Sequence, residues 1–216
     1  MITVGINDTA TLAAMRKQLG ALSYKAPSIL QNAINATARE ARKSLASGAA
    51  GTYTRKKSEF TKAMDLTRAS KSHLDAIIRA KGEAEELQRF KTKESGGVVK
   101  AQIMKASTMK ALVRDNAAAF KVRFDSGHET IVQRRPGERY SLSKYVAARA
   151  NPKHYKTWHG PSDPARIKKL LGPSIPVMIG GDKVNNEDFR QKTLEMLAAQ
   201  IEKRIAKEVQ KGAVQA

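Results

Sequence analysis

The 216-residue chain has room for one sizeable core, with or without an extended arm, and is too short for several full domains. Its 40 lysines and arginines against 20 acidic residues give a formal net charge of +20, which calls for a polyanion nearby: nucleic acid, an anionic membrane or an acidic protein surface. Cysteine is absent, excluding disulfides, thiolate nucleophiles and cysteine-ligated zinc, and no apolar run approaches the ~20 residues that span a bilayer. Aromatic residues make up only 5% of the chain, so Leu, Ile, Val, Ala and Met must supply the core. Met1 to Asp8 lacks the basic start and long apolar stretch of a secretory signal, so a soluble cytoplasmic protein with no membrane partner is expected.

Ile2, Val4 and Ile6 alternate with the period of a half-buried strand. Asp8 or Thr9 can then cap a helix in which Leu12, Met15 and Leu19 recur at helical spacing until Gly20. Pro27 suits the first turn of a second helix, whose face of Leu30, Ala33, Ile34, Thr37, Ala38, Ala41 and Leu45 runs up to the glycines at 48 and 51. The other face carries Arg39, Arg42 and Lys43, and the alanine-rich stripe lets another element approach closely. Gly48 to Thr52 reads as a flexible break. Beyond it, the sharpest positive knot, Arg55, Lys56 and Lys57, precedes a short helix.

His73 to Ala80 and Val98 to Met104 have strand composition, and Ala119 to Phe124 with Glu129 to Gln133 predicts a hairpin turned by Asp125, Ser126 and Gly127. Between Arg134 and Pro164 the periodicity is lost, with Pro136, Pro152, Pro161 and Pro164 interrupting a stretch rich in Tyr, His and Lys. This reads as a long loop or arm with one helical turn around Ser143 to Ala150; loops of that length are usually functional, mobile or ordered against a neighbour. After the Gly172, Pro173, Ser174 turn, a long helix spans about Asn186 to Lys211. Phe189, Leu194, Leu197, Ile201, Ile205 and Val209 mark its expected buried stripe, with acids at its positive end and lysines at its negative end. The fold class implied is α+β: a small, mostly antiparallel sheet packed with the Ala-rich and C-terminal helices, in a single folded unit over 1–216 with an arm over 134–164.

The residues offer little for catalysis. The four histidines lack metal-ligand spacing, no G-x-S-x-G or phosphate-loop pattern occurs, and Ser126, Gly127 and His128 read as turn residues plus a satisfied histidine. Glu85 and Glu86 lie in a charged segment that looks solvated, which gives acid and base work little support. No catalytic residue, metal or cofactor is therefore expected. Arg39 to Lys43, Arg55 to Lys57, Arg134 with Arg135, and Lys168 with Lys169 could instead contact phosphates or an acidic partner without base readout.

Three stretches resemble the prophage minor tail protein Z family, the tail-completion proteins of long-tailed phages. They are Ala33 to Arg42; Phe120 to Phe124 with Ser126, Gly127, His128, Gln133, Arg134 and Arg135; and Ile167 to Pro176, followed by a charged C-terminal helix. The resemblance covers about half the chain, with Tyr140 to Pro164 like an insertion. It implies a non-enzymatic virion component at the head-proximal end of the tail that supports head–tail joining around the DNA channel. The partners implied are further copies in a ring, hexameric in the usual tail arrangement, and neighbouring tail-terminator, tail-tube or head-connector proteins. Read from the residues alone, a sequence-independent nucleic-acid-binding protein is the alternative.

Overall fold

In a computed structural model, the residues described are 2–5, 17, 20–124, 126–139 and 165–214. The fold is α+β, with two long helices and small antiparallel sheets. Where one folded unit was expected, contacts gather into two compact units, one built from Met1–Thr52, Lys56–Glu83 and Ser174–Ala216, the other from Tyr53–Arg55 and Ala84–Pro173. The chain leaves the first unit and returns to it, a route that no composition shift announces.

In the first unit, strand β1 (Ile2–Gly5) and strand β2 (Met64–Thr67) flank β3 (Asp75–Ala80) in an antiparallel sheet, with Ile2 opposite Ile78 and Met64 opposite Ala80. A 3-10 turn over Gly20–Lys25 enters helix α1 (Ala26–Thr52). Leu30, Ala33, Ile34, Ala38, Ala41 and Leu45 of α1 are all fully buried, as their spacing predicted. Burying a leucine or isoleucine of that stripe contributes about 2 kcal/mol. The helix packs on Ala69 and Ala76 and on Leu197 and Ile201 of the last helix. Asn35 pins the loop after β2, accepting from the Ala69 N–H at 2.8 Å and donating to its carbonyl at 3.0 Å.

The break expected at Gly48 to Thr52 is helix instead. Each glycine costs a helix about 1 kcal/mol, but Ala46 and Ala49 are fully buried on that last stretch and Val184 lies against Gly48. Packing therefore carries the helix through. The short helix after the basic knot is α2 (Lys57–Lys62), and it holds Phe60 fully buried. A further short helix, α3 (Ile175–Gly180), where only a turn is expected, precedes α4 (Glu187–Val214). Asn186 caps α4, its Oδ1 accepting from the Phe189 N–H at 2.9 Å. Phe189, Thr193 and Leu197 form the buried line, whereas Leu194 is 59% and Val209 43% exposed. The buried row steps by four residues, which leaves Leu194 one position off it, while Val209 continues the row beyond Ile205, the last α4 residue packed on the α1 core. The helix expected over residues 9–19 lies outside the described residues apart from Lys17, which is helical.

In the second unit, β4 (Lys91–Ser95), β5 (Val98–Gln102) and β6 (Lys110–Ala111) form one antiparallel sheet. Gly96 and Gly97, both at positive φ, turn the β4–β5 hairpin. The other sheet has the order β10-β9-β8-β7, from β7 (Val113–Arg114), β8 (Ala117–Arg123), β9 (Glu129–Arg139) and β10 (Ala165–Lys169). The expected hairpin is β8–β9, closed by Phe124 N–H on the His128 carbonyl at 2.9 Å, with Gly127 at φ +78°. Strand β9 continues to Arg139, so Arg134 and Arg135 belong to a ladder and not to a loop. Pairing with β10, Ile167 opposite Arg134, extends the strand past the point where the sequence loses its period. The rest of the expected arm, with its helical turn at 143–150, lies outside the described residues.

Candidate nucleic-acid interface

The cationic residues expected to act together have different fates. Arg39 is exposed on α1, and Lys43 is exposed but pairs with Glu40 at 2.9 Å. Arg42 is half-buried and donates to the Thr61 carbonyl at 2.7 Å, tying α1 to α2. Lys56 and Lys57 are exposed at the start of α2, where the helix dipole disfavours cations and Glu59, accepting from the Lys56 N–H at 3.2 Å, offsets it.

Arg55 departs from the expectation of a phosphate or partner contact. Its side chain is 1% exposed, Nη1 lies 3.0 Å from the Glu85 carboxylate, and the guanidinium sits 5.5 Å from the Phe90 ring centroid. An arginine with its head group enclosed cannot reach a phosphate backbone. Arg134 is half-buried with its guanidinium 5.5 Å from the Phe120 ring centroid, and Arg135 is half-buried beside it in β9. Both stand in β9, not on a loop.

Among the turn residues, Ser126 and Gly127 turn the β8–β9 hairpin as expected. Gly172 is required by close approach: a Cβ there would lie 2.6 Å from Phe90 Cε2, while the Gly172 N–H donates to the Glu85 carbonyl at 2.7 Å. Pro173 follows it, and the Ser174 carbonyl accepts from the Met178 N–H at 3.0 Å at the start of α3.

Glu85 and Glu86, read as solvated, are the organising acids of the second unit. Glu85 holds Arg55 and, at 3.4 Å, Arg89. Glu86 is met by His128 at 3.0 Å and Lys169 at 3.2 Å. Desolvation, the largest influence on Glu86, pushes its carboxyl up, but the Thr130 hydroxyl, Lys169 and His128 together outweigh it and hold the carboxyl below its ordinary range. His128 also stacks on Phe124 with ring centroids 6.3 Å apart, so it is the satisfied histidine that its turn position suggested.

In the first unit, a cleft of about 340 Å³ opens along α4, lined by Lys25, Arg204, Lys207, Glu208 and Lys211 beside Ser28, Ile29 and Asn32 of α1. Four cations face one acid. Glu208 accepts from Lys25 at 2.9 Å, a hydrogen bond that raises the lysine's pKa and lowers the carboxyl's, and Lys211 stands 3.5 Å away. The surplus charge suits an anionic group. Arg204, Lys207 and Lys211 already share a helical face in the sequence, but only the folded chain brings Lys25 to them.

Among the described residues, no three His, Asp or Glu side chains gather as a metal site would require, and no helix is long and apolar enough to cross a membrane. His73 bonds Ser72 in the loop before β3, and His154 and His159 lie outside the described residues. The geometry therefore defines a basic α+β protein whose cations fall into structural anchors and exposed groups. Compared with family models, curated proteins and solved structures, the chain matches none.

Proposed function

We propose that this chain is a structural, non-enzymatic subunit of a long-tailed phage, a tail-completion protein at the head-proximal end of the tail. It acts there as a ring, hexameric by the usual tail symmetry, between tail-terminator, tail-tube or head-connector neighbours and around the DNA channel. The observation that carries this reading is that each stretch resembling the minor tail protein Z family coincides with a distinct structural part, in the family's order. The Ala-rich stretch is the core of α1, the Ser-Gly-His turn with its basic return strand is β8–β9, and the Gly172-Pro173-Ser174 passage follows β10 and precedes the closing helix. Electron microscopy of particles made without this protein tests the proposal. Separate filled heads and tails are expected, with the protein present in purified wild-type virions; normal joined particles would overturn it.

The cleft favours a second reading, sequence-independent binding of nucleic acid, because three surplus cations around one acid attract phosphate whatever the base. In that case the purified protein retards DNA fragments of unrelated sequence equally, is absent from virions, and its loss leaves particles joined.

A further inference from the structure

The β4–β5 hairpin sets two like charges directly across a strand pair. Lys93 stands directly opposite Lys100, and Lys91, two residues along β4, stands opposite Gln102. Alternation puts these four on one side of the sheet, while Thr92 and Glu94 lie on the other, opposite the buried Ala101 and Val99. The lysine side is thus the outer one. Lys91 and Lys93 are exposed and Lys100 half-buried, and no carboxylate among the described residues pairs with any of the three. Like charges directly across a strand pair destabilise it. Lysines on the edge strand β4 also keep it from pairing with another chain, but Lys100 stands on the central strand β5, where no edge needs protecting, so the uncompensated pair points to a ligand that supplies the missing negative charge.

We propose that the outer face of this hairpin binds the phosphate backbone of nucleic acid, through Lys91, Lys93 and Lys100. Lysines two apart on a strand are separated by about 6.6 Å, so their ammonium groups can reach different phosphates, and freely rotating ammonium groups read charge and not sequence. The face carries no aromatic residue, and its only apolar side chains are the half-buried Val98 at the turn end and the small Ala111 beside Lys100, which is too little for the core of a protein interface, where lysine is depleted. The site stands whether or not the chain belongs to a tail. It also lies apart, in sequence and in strand, from Arg39–Lys43, Arg55–Lys57, Arg134–Arg135 and Lys168–Lys169.

The test compares the full chain with Lys91→Ala/Lys93→Ala/Lys100→Ala, using fluorescence anisotropy on a labelled DNA duplex and on the single strand over a salt series. Each lysine that contacts a phosphate contributes about 0.9 to the slope of log affinity against log salt for duplex and about 0.7 for single strand. The triple variant should therefore lose most of three such contributions on whichever form is bound, with affinity at low salt falling at least tenfold. Because the lysines repel one another, the free variant should melt at the same temperature as the parent or higher. Lys93→Arg should retain binding, and Lys192→Ala on α4, which removes a lysine already paired with Asp188 at 2.7 Å, should leave the slope unchanged. An unaltered slope in the triple variant overturns the proposal. So does an equal loss per charge removed in Lys192→Ala, which would indicate net charge alone, or a lowered melting temperature, which would make the lysines structural. Displacement of DNA by poly-glutamate at equal charge concentration would assign the face to an acidic protein and overturn it as well.

Discussion

Glu85→Ala is expected to cost the second unit about 3 kcal/mol. The Arg55 side chain that Glu85 neutralises is 1% exposed, with Nη1 at 3.0 Å from the carboxylate. Arginine cannot shed its proton inside a protein, so truncating Glu85 removes one source of compensation from a charge that must stay enclosed. Breaking such a pair costs about 3–5 kcal/mol. The lower end applies because Glu85 is itself 14% exposed, so water can enter where the carboxylate stood. Losing the Arg89 contact adds less than about 1 kcal/mol, since Arg89 is 60% exposed. With a urea dependence of about 1–2 kcal/mol per molar, the midpoint of the second unit's transition should fall by roughly 2 M. Urea unfolding followed by circular dichroism measures it. Replacing both partners, Arg55→Met with Glu85→Leu, should recover most of the loss, because an apolar pair carries no desolvation penalty. A Glu85→Ala midpoint within about 0.3 M of the parent, several-fold below the loss expected for a broken buried pair, would refute the reasoning. So would an Arg55→Ala variant that folds normally and only loses affinity for DNA.

Gly172→Ala should destabilise by about 1–3 kcal/mol through overpacking, because the new Cβ would meet Phe90 Cε2 at 2.6 Å and Phe90 is buried; adding Phe90→Leu should return part of the melting temperature. Glu86 should titrate below the ordinary 4.5, as read by carbon-detected NMR. Its carboxyl is depressed in the folded state, so its contribution to stability is present above pH 4.5 and disappears as pH falls through the folded value. Glu86→Gln should flatten that acid-side loss, and an unchanged acid profile would remove Glu86 from the account.

Helices and hairpins with a strong local code were legible. The α1 stripe repeats at 3.6 residues over about four turns, and the β8–β9 hairpin carries turn chemistry at Ser126 and Gly127. Weak codes failed. The alternation in β4 is of charge and polarity without an apolar face, so a strand of Lys, Thr, Lys, Glu and Ser gives no hydrophobic signal, although Gly96 with Gly97 marked its turn. The end of β9 was hidden by Pro136 and clustered charge, and only its pairing with β10 reveals it.

The chain's composition and periodicity were enough to establish the α+β class, the α1 and α4 helices, the excess of cation over acid and the lack of cysteine chemistry, because each is a property of neighbours along the chain or of simple counts. Which cations remain available to a ligand was decided by tertiary structure alone. Arg55 and Lys56 are adjacent in a single basic knot, yet the first is enclosed against Glu85, 30 residues on, and the second faces water. Lys93 and Lys100 look unremarkable in the sequence and meet only when the hairpin sets them across from each other. A charge's role depends on its distance to other charges and on the water left around it, and the folded path of the chain sets both.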